Sequence, residues 1–195
     1  MKSASYRMNI LAAVTAAIFL CGFSSAACAD SIAAKKQEIR KMRSETLAQL
    51  YKVHPAARGH IQQSVGYAVF SNIGINLIFL SAAGGSGIAH DNHSGRDIYM
   101  RMVSGGVGFG LGVKDFRGIF VFSTSKAFKQ FVDSGWSADL QADAAAKSGD
   151  KGDAAAGALA VAPGVDLYQL TENGLALQAT IQGTKYYKDD DLNAK

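Results

Sequence analysis

Apolar residues recur at three- and four-residue steps near the start of the chain and at two-residue steps over much of the remainder. From Ser31 to about Val53 the helical spacing places Ile39, Met42 and Leu50 on one side, which predicts an amphipathic helix. A second, short helix is predicted from Ala56 to Ser64, after His54 and Pro55.

Most of the chain after residue 65 has the alternation or short apolar runs of strands. The predicted strands are Gly66 to Phe70, Ile73 to Ala83, Ile98 to Val113, Ile119 to Phe122 and Trp136 to Ala146, and a closing hairpin joins Val165 to Leu170 with Leu175 to Ile181. The glycines between Gly84 and Gly87 predict a break or bulge. A further helix is predicted to begin at a cap between Ser123 and Ser125 and to end at Gly135.

Short turns between consecutive strands favour antiparallel pairing. We therefore predict an α+β fold with a single domain: a mainly antiparallel twisted sheet or partial barrel, with an N-terminal amphipathic helix and one or two short helices packed against it. The sequence has no regular repeat.

The stretch VSGGVGFGLGV, Val103 to Val113, has one apolar face and one face made almost entirely of glycine. Such a face lets a flat neighbour approach the backbone. A bound phosphate is excluded because the glycines lack the G-x-G-x-x-G offset, and no G-x-x-x-x-G-K-[ST] is present. An element of the protein itself and a lipid chain remain as the two candidate neighbours.

The first 29 residues are predicted to be a secretory signal peptide, followed by a domain over 30–195. Lys2 and Arg7 give a basic start, Ile10 to Phe23 is apolar, and Ala27 to Ala29 provides a cleavage site. The predicted location is the periplasm or cell envelope. The alternatives are an uncleaved anchor helix and lipidation of Cys28.

Charge is concentrated in the first predicted helix, where five basic residues between Lys35 and Arg43 accompany one acid, Glu38. Two interpretations stay open: a solvated helix face, or a surface for anionic lipid headgroups. Without Lys2 and Arg7 the chain has 18 basic and 16 acidic residues, which is too mild a balance to indicate nucleic acid as a partner.

The sequence offers little catalytic chemistry. No G-x-S-x-G elbow is present, and signal cleavage would remove both cysteines. His90, Asp91, His93 and Asp97 could hold a metal, but the intervening polar residues favour an ordinary turn. Asp189 to Asp191 are interpreted as a solvated tail. We predict a protein that is not an enzyme and needs no cofactor.

Four segments resemble the SYLF domain. They are GYAVFSNIG (Gly66 to Gly74), SGGVGFGLGVKDFRGIFVFST (Ser104 to Thr124), AFKQFVDSGW (Ala127 to Trp136) and VDLYQLTENGLALQATIQGTK (Val165 to Lys185). The similarity extends from about Leu47 to Tyr187. It implies a secreted phospholipid-binding module that contacts anionic lipids or a membrane surface through its N-terminal helix and nearby basic residues.

The lipid-binding residues that this resemblance implies are Lys35, Lys36, Ile39, Arg40, Lys41, Met42 and Arg43 on the helix, and Arg96, Arg101, Lys114 and Arg117 on strands or turns. Two other functions remain open. One is a structural or protein-interaction module of the envelope, with an envelope protein as partner. The other is a hydrolase or metal site at His90 and His93.

Overall fold

A computed structural model describes residues 31–72, 83–104, 117–137, 157–171, 174–176 and 184–194. The predicted signal peptide, Cys28, Lys114 and the glycine stretch beyond Ser104 lie outside these residues. The chain divides into two compact units, Met1–Glu38 and Ile39–Lys195. Within the first unit, residues 31–38 are helical.

Four helices are present in the described part of the chain. They are α1 (residues 31–53), α2 (Ala57–Gln63), α3 (Ser125–Ser134) and α4 (Asp190–Asn193). The first three confirm the predicted helices, and α4 was not predicted. Among these residues, no helix has the length and apolar character needed to cross a membrane.

The strands form one sheet in the second unit. They are β1 (Gly66–Ser71), β2 (Ala83–Asp91), β3 (Asp97–Ser104), β4 (Arg117–Phe122), β5 (Trp136–Ser137), β6 (Leu159–Ala162), β7 (Val165–Thr171), β8 (Gly174–Ala176) and β9 (Thr184–Lys188). Their order is β5-β9-β3-β2-β1-β4-β7-β6, with β8 paired to β7. Every pairing is antiparallel, which confirms the predicted α+β class.

The sheet is strongly curled. Trp136 on β5 and Phe120 on β4 are five strand positions apart, which is about 24 Å in a flat sheet. Their ring centroids nevertheless lie 5.5 Å apart, and Tyr186 on β9 lies 4.7 Å from Phe70 on β1. The strands therefore curve around a concave face filled with aromatic rings.

Each face of the sheet carries its own core. On the concave face, Phe70, Phe120, Trp136 and Tyr186 pack with α3, which contributes Phe131. On the opposite face a second cluster joins α1 and α2 to the sheet; it includes Leu50, Ile61, Tyr67, Val69, Ile119, Val121 and Tyr168. The central strands β1 and β4 consequently have both faces buried.

The glycines of β2 do not break the strand, so the predicted bulge between Gly84 and Gly87 is wrong. Ala83 to His90 pair continuously with β3, and Gly66 to Ser71 of β1 pair on the other side. A Cβ atom at Gly87 would come within 2.2 Å of the Phe70 ring, and one at Gly85 within 2.2 Å of Met102. Glycine is required here because the protein's own side chains lie against the backbone.

The predicted ends of α3 are confirmed, and so is the start of the predicted closing hairpin, whose residues 177–181 lie outside the described residues. Thr124 caps α3 by accepting a hydrogen bond from the Ala127 amide, and Gly135 ends the helix with a φ of 73°. In the closing hairpin, Thr171 of β7 lies opposite Gly174 of β8.

Candidate functional site

Within the second unit, α1 lies on the sheet with its apolar side facing inward. Ile39 is 4% exposed and Leu50 is fully buried, while Met42, Leu47 and Tyr51 pack partly buried beside them. Ile39 and Met42 are two of the predicted lipid contacts. While α1 occupies this position, the Ile39 side chain faces the protein interior, so its contact with lipid stays a prediction.

Asp97, at the start of β3, holds α1 through its carboxylate. Arg43 donates from Nη1 to Asp97 Oδ1 over 2.6 Å, and Arg40 Nε lies 3.8 Å from Oδ2. His90 Nδ1 lies 2.7 Å from the same Oδ1 atom. Two guanidinium groups thus share one carboxylate, and the two arginines with Asp97 carry a net charge of +1.

Two tyrosine rings lie beneath this charge cluster. The Arg40 guanidinium lies 5.8 Å from the centre of the Tyr99 ring, within the range of a cation–π contact. The His90 ring centroid is 5.3 Å from that of Tyr67. Burial raises the pKa of both tyrosines, and nearby arginine charge lowers it in part. Both phenols are therefore neutral at physiological pH and serve as an uncharged platform for the cations.

The outward side of α1 presents cations to solvent. The Lys41 side chain is 75% exposed and Arg40 is 54% exposed. Lys41 pairs with Glu45 over 3.9 Å on the same helix face, but a pair this exposed contributes little. In the first unit, Lys35 is exposed and Lys36 is partly exposed. Residues 31–53 carry six basic and two acidic side chains, a net charge of +4 that equals that of the whole chain.

Two of the remaining predicted basic residues, Arg96 and Arg117, lie on or beside strands rather than on α1. Arg96 is exposed beside the turn between β2 and β3. Arg117 donates a hydrogen bond to Gln49, which ties β4 to α1. Lys114 lies outside the described residues. A role in lipid binding for Arg96, Arg117 and Lys114 stays a prediction.

Arg101 binds two aspartates near the C-terminal end. Its Nε donates to Asp189 Oδ2 over 2.6 Å, and its Nη2 donates to Asp189 Oδ1 and to Asp191, each over 3.0 Å. These bonds raise the pKa of Arg101 further. Asp189 also caps α4 by accepting from the Leu192 amide, and its side chain is 1% exposed. The interpretation of Asp189 to Asp191 as a solvated tail is therefore wrong for Asp189, whereas Asp190 and Asp191 are exposed.

The histidines of the β2–β3 turn do not form a metal centre in the structure. His90 contacts Asp97, and the exposed His93 donates its backbone amide to Asp91. Within the described ranges there is no group of three or more His, Cys, Asp or Glu residues arranged to hold a metal ion. The turn itself was predicted correctly.

A cavity of about 410 Å³ opens on the other side of the sheet, between α3 and the turn from β6 to β7. Its wall is formed by Ala127, Phe131, Trp136, Ala162 and Val165, and its rim carries Thr124, Lys126 and Gln130. Sequence reasoning placed Phe131 in the core but did not predict a cavity. An apolar wall with few polar groups at the rim is typical of small-ligand sites.

Comparison with known proteins finds a similarity to a curated bacterial protein. The chain is 31% identical over 154 residues to beta cell expansion factor A from Aeromonas veronii. The aligned region covers 79% of this chain and 57% of that protein, so the chain spans little more than half of its relative's length. No protein-family model matches the chain.

Proposed function

We propose that this chain is a SYLF-family protein of the cell envelope that binds anionic phospholipid surfaces and catalyses no reaction. The four motif segments quoted above support the family assignment. The observation that carries the function is the charge on α1: six basic residues against two acidic ones, with two arginines sharing the single carboxylate of Asp97. Phosphate headgroups supply the negative charge that this surface lacks.

The contact that we propose is electrostatic and superficial. Lys35, Lys36, Arg40 and Lys41 face the lipid, whereas Ile39 and Arg43 hold α1 on the sheet. A basic residue close to an anionic membrane contributes about 1 kcal/mol, so four contribute about 4 kcal/mol, or roughly a thousandfold in partitioning. Screening at high salt removes most of this attraction.

Vesicle co-sedimentation tests the proposal. Wild-type protein is expected to pellet with vesicles that contain phosphatidylglycerol and to dissociate from them as the salt concentration is raised. It is not expected to bind vesicles of pure phosphatidylcholine. The variant K35Q/K36Q/R40Q/K41Q is expected to lose binding. Its matched control, R58Q/K129Q/K185Q/K188Q, also removes four positive charges, but at exposed positions outside α1. Equal losses in the two variants would contradict a specific role for α1.

A second candidate function is a structural or protein-interaction module of the envelope. The observation in its favour is that the apolar side of α1 is already covered by the protein's own sheet. Under this hypothesis the cations of α1 meet an acidic protein surface. Wild-type protein that fails to bind anionic vesicles even at low salt would favour this candidate over lipid binding.

A further inference from the structure

We propose that the cavity beside α3 binds one acyl chain of a single-chain anionic amphiphile, such as a long-chain carboxylate, with the head group at Lys126. The wall of the cavity is apolar, and its side chains are held in place by packing. Phe131 is 1% exposed, Trp136 4% and Val165 5%, and all three belong to the aromatic core of the concave face. Such a wall favours contact with a hydrocarbon chain.

Backbone contacts fix the β6–β7 turn against the start of α3 at the mouth of the cavity. Gly164 has a φ of 74°, and a Cβ there would come within 3.1 Å of Thr124 Oγ1. The Gly164 carbonyl accepts a 3.0 Å hydrogen bond from the Ser123 amide, which clamps the β6–β7 turn to the start of α3. The site is therefore formed before any ligand arrives, which lowers the cost of binding.

The charge at the rim selects an anion. Lys126 and Gln130 are exposed one helical turn apart on α3, and the first turn of α3 contains no acidic residue. No carboxylate in the part of the chain that the structure describes pairs with Lys126. An amphiphile that lays its chain over Phe131 would place its head group beside this ammonium.

The volume selects a single chain. Ligand cavities in proteins span about 300–1,000 Å³, and this one, at about 410 Å³, lies near the lower end. Two acyl chains with a glycerol backbone need a cavity volume nearer the upper end of that range. The inference goes beyond the proposed surface contact and does not depend on it, because α1 packs on the opposite face of the sheet.

The chain's single tryptophan lines the cavity and reports on its content. We would titrate the full protein with a dibrominated long-chain carboxylate below its micelle concentration and record Trp136 emission. Bromine quenches indole only at short range, so saturable quenching with a stoichiometry of one is expected. An unbrominated chain should compete it away. Absence of quenching below the micelle concentration would overturn the proposal.

Three variants place the ligand. Ala127→Leu fills the cavity from α3 and is expected to abolish quenching while the protein stays folded by circular dichroism. Lys126→Gln is expected to weaken the affinity at least threefold, and Lys129→Gln, which removes the same charge one turn away without lining the cavity, is expected to leave it unchanged. Undiminished quenching in Ala127→Leu, or equal affinities in the two lysine variants, would overturn the assignment.

A neutral ligand and a membrane-bound ligand complete the test. A brominated long-chain alcohol is expected to bind wild-type protein and Lys126→Gln with the same weak affinity. Quenching by vesicles of brominated phosphatidylglycerol, without quenching by the monomeric carboxylate, would assign Trp136 to membrane contact and overturn the proposal. The K35Q/K36Q/R40Q/K41Q variant should keep its cavity site, so this proposal and the surface-binding proposal can fail separately.

Discussion

The contact between Gly87 and Phe70 gives the sharpest prediction about stability. In β2, Gly87 lies opposite Phe70 of β1, and a Cβ built on Gly87 lies 2.2, 2.4 and 2.8 Å from three atoms of the Phe70 ring. Such distances are far below van der Waals contact, so Gly87→Ala requires that the ring or the strand move. The ring has little freedom because it is fully buried between Phe120, Phe131 and Tyr186.

The cost follows from these contacts. Inserting a methyl group into a well-packed core costs about 1–3 kcal/mol. Displacing Phe70 also weakens its ring pairs, of which the closest, to Tyr186 at 4.7 Å, is worth about 1 kcal/mol. We therefore expect Gly87→Ala to lower the free energy of unfolding by about 3 kcal/mol, which is a large part of the stability of an ordinary domain.

Urea unfolding followed by circular dichroism measures this loss, and a double-mutant cycle assigns its cause. Phe70→Leu alone leaves a cavity and is expected to cost about 2 kcal/mol. If the ring is the obstacle, adding Gly87→Ala to Phe70→Leu should cost at least 1 kcal/mol less than the same change in wild-type protein. Additive losses would mean that the clash with Phe70 is not the cause.

Gly59 provides the matched control. It lies within α2, and a Cβ there would have nothing within 4 Å. Because alanine is a better helix former than glycine, Gly59→Ala is expected to raise the free energy of unfolding by up to about 1 kcal/mol. A neutral Gly87→Ala, or similar effects at the two glycines, would refute the reasoning.

Two further predictions concern buried polar groups. Arg101→Ala leaves the Asp189 carboxylate, 1% exposed, without its guanidinium partner, so a loss of about 3 kcal/mol is expected in urea unfolding, with unchanged vesicle binding if Arg101 serves structure alone. Burial raises the pKa of Tyr168 from 10.0 to about 12. The stabilisation that the neutral phenol gives the folded state is therefore complete below pH 10 and is lost as the pH rises through 12. Stability should fall by up to about 1.4 kcal/mol per pH unit in this window, and Tyr168→Phe should flatten the decline, whereas an unchanged slope would place the effect elsewhere.

Local patterns predicted α1, α2, α3, β1, β4 and β7, because each of these elements depends on a few neighbouring residues, whereas β6 and β9 were not predicted. The helix from Ser125 to Ser134 was recognisable from its cap, its apolar spacing and Gly135. The glycines of β2 were misinterpreted as a break, since their reason is Phe70 on another strand, and no local pattern in the sequence indicates that contact.

The site was harder to predict for the same reason. The basic residues of α1 were recognisable as a group. Which of them bind a carboxylate and which face solvent depends on Asp97, which lies 54 residues from Arg43 in the sequence. Likewise, Asp189 lies 88 residues from Arg101, so a run of three aspartates gave no sign that its first member is buried. The cavity depends on where α3 meets the β6–β7 turn, which the sequence pattern does not specify.

The burial of Ile39 and Leu50 decides how α1 can meet a membrane. Burying side chains of this kind is worth about 1.5–3 kcal/mol each, so lifting α1 off the sheet costs about 3–6 kcal/mol for these two alone. Insertion of α1 into lipid would bury Ile39 and Leu50 again and regain this free energy. It would, however, expose Tyr67, Val69 and Ile119 of the sheet to water, and nothing would offset that cost. We therefore expect that, if α1 binds a membrane, it does so while docked on the sheet.

Ile39→Ala separates the docked helix from an inserted one. Removing a buried isoleucine side chain should cost about 2–5 kcal/mol of stability, measured by urea unfolding. If only the outward cations contact lipid, the folded variant should sediment with phosphatidylglycerol vesicles as wild-type protein does, and with the same salt dependence. Weaker binding by Ile39→Ala at high salt, where charge is screened, would mean that the apolar side of α1 enters the bilayer, because only hydrophobic contact persists under those conditions.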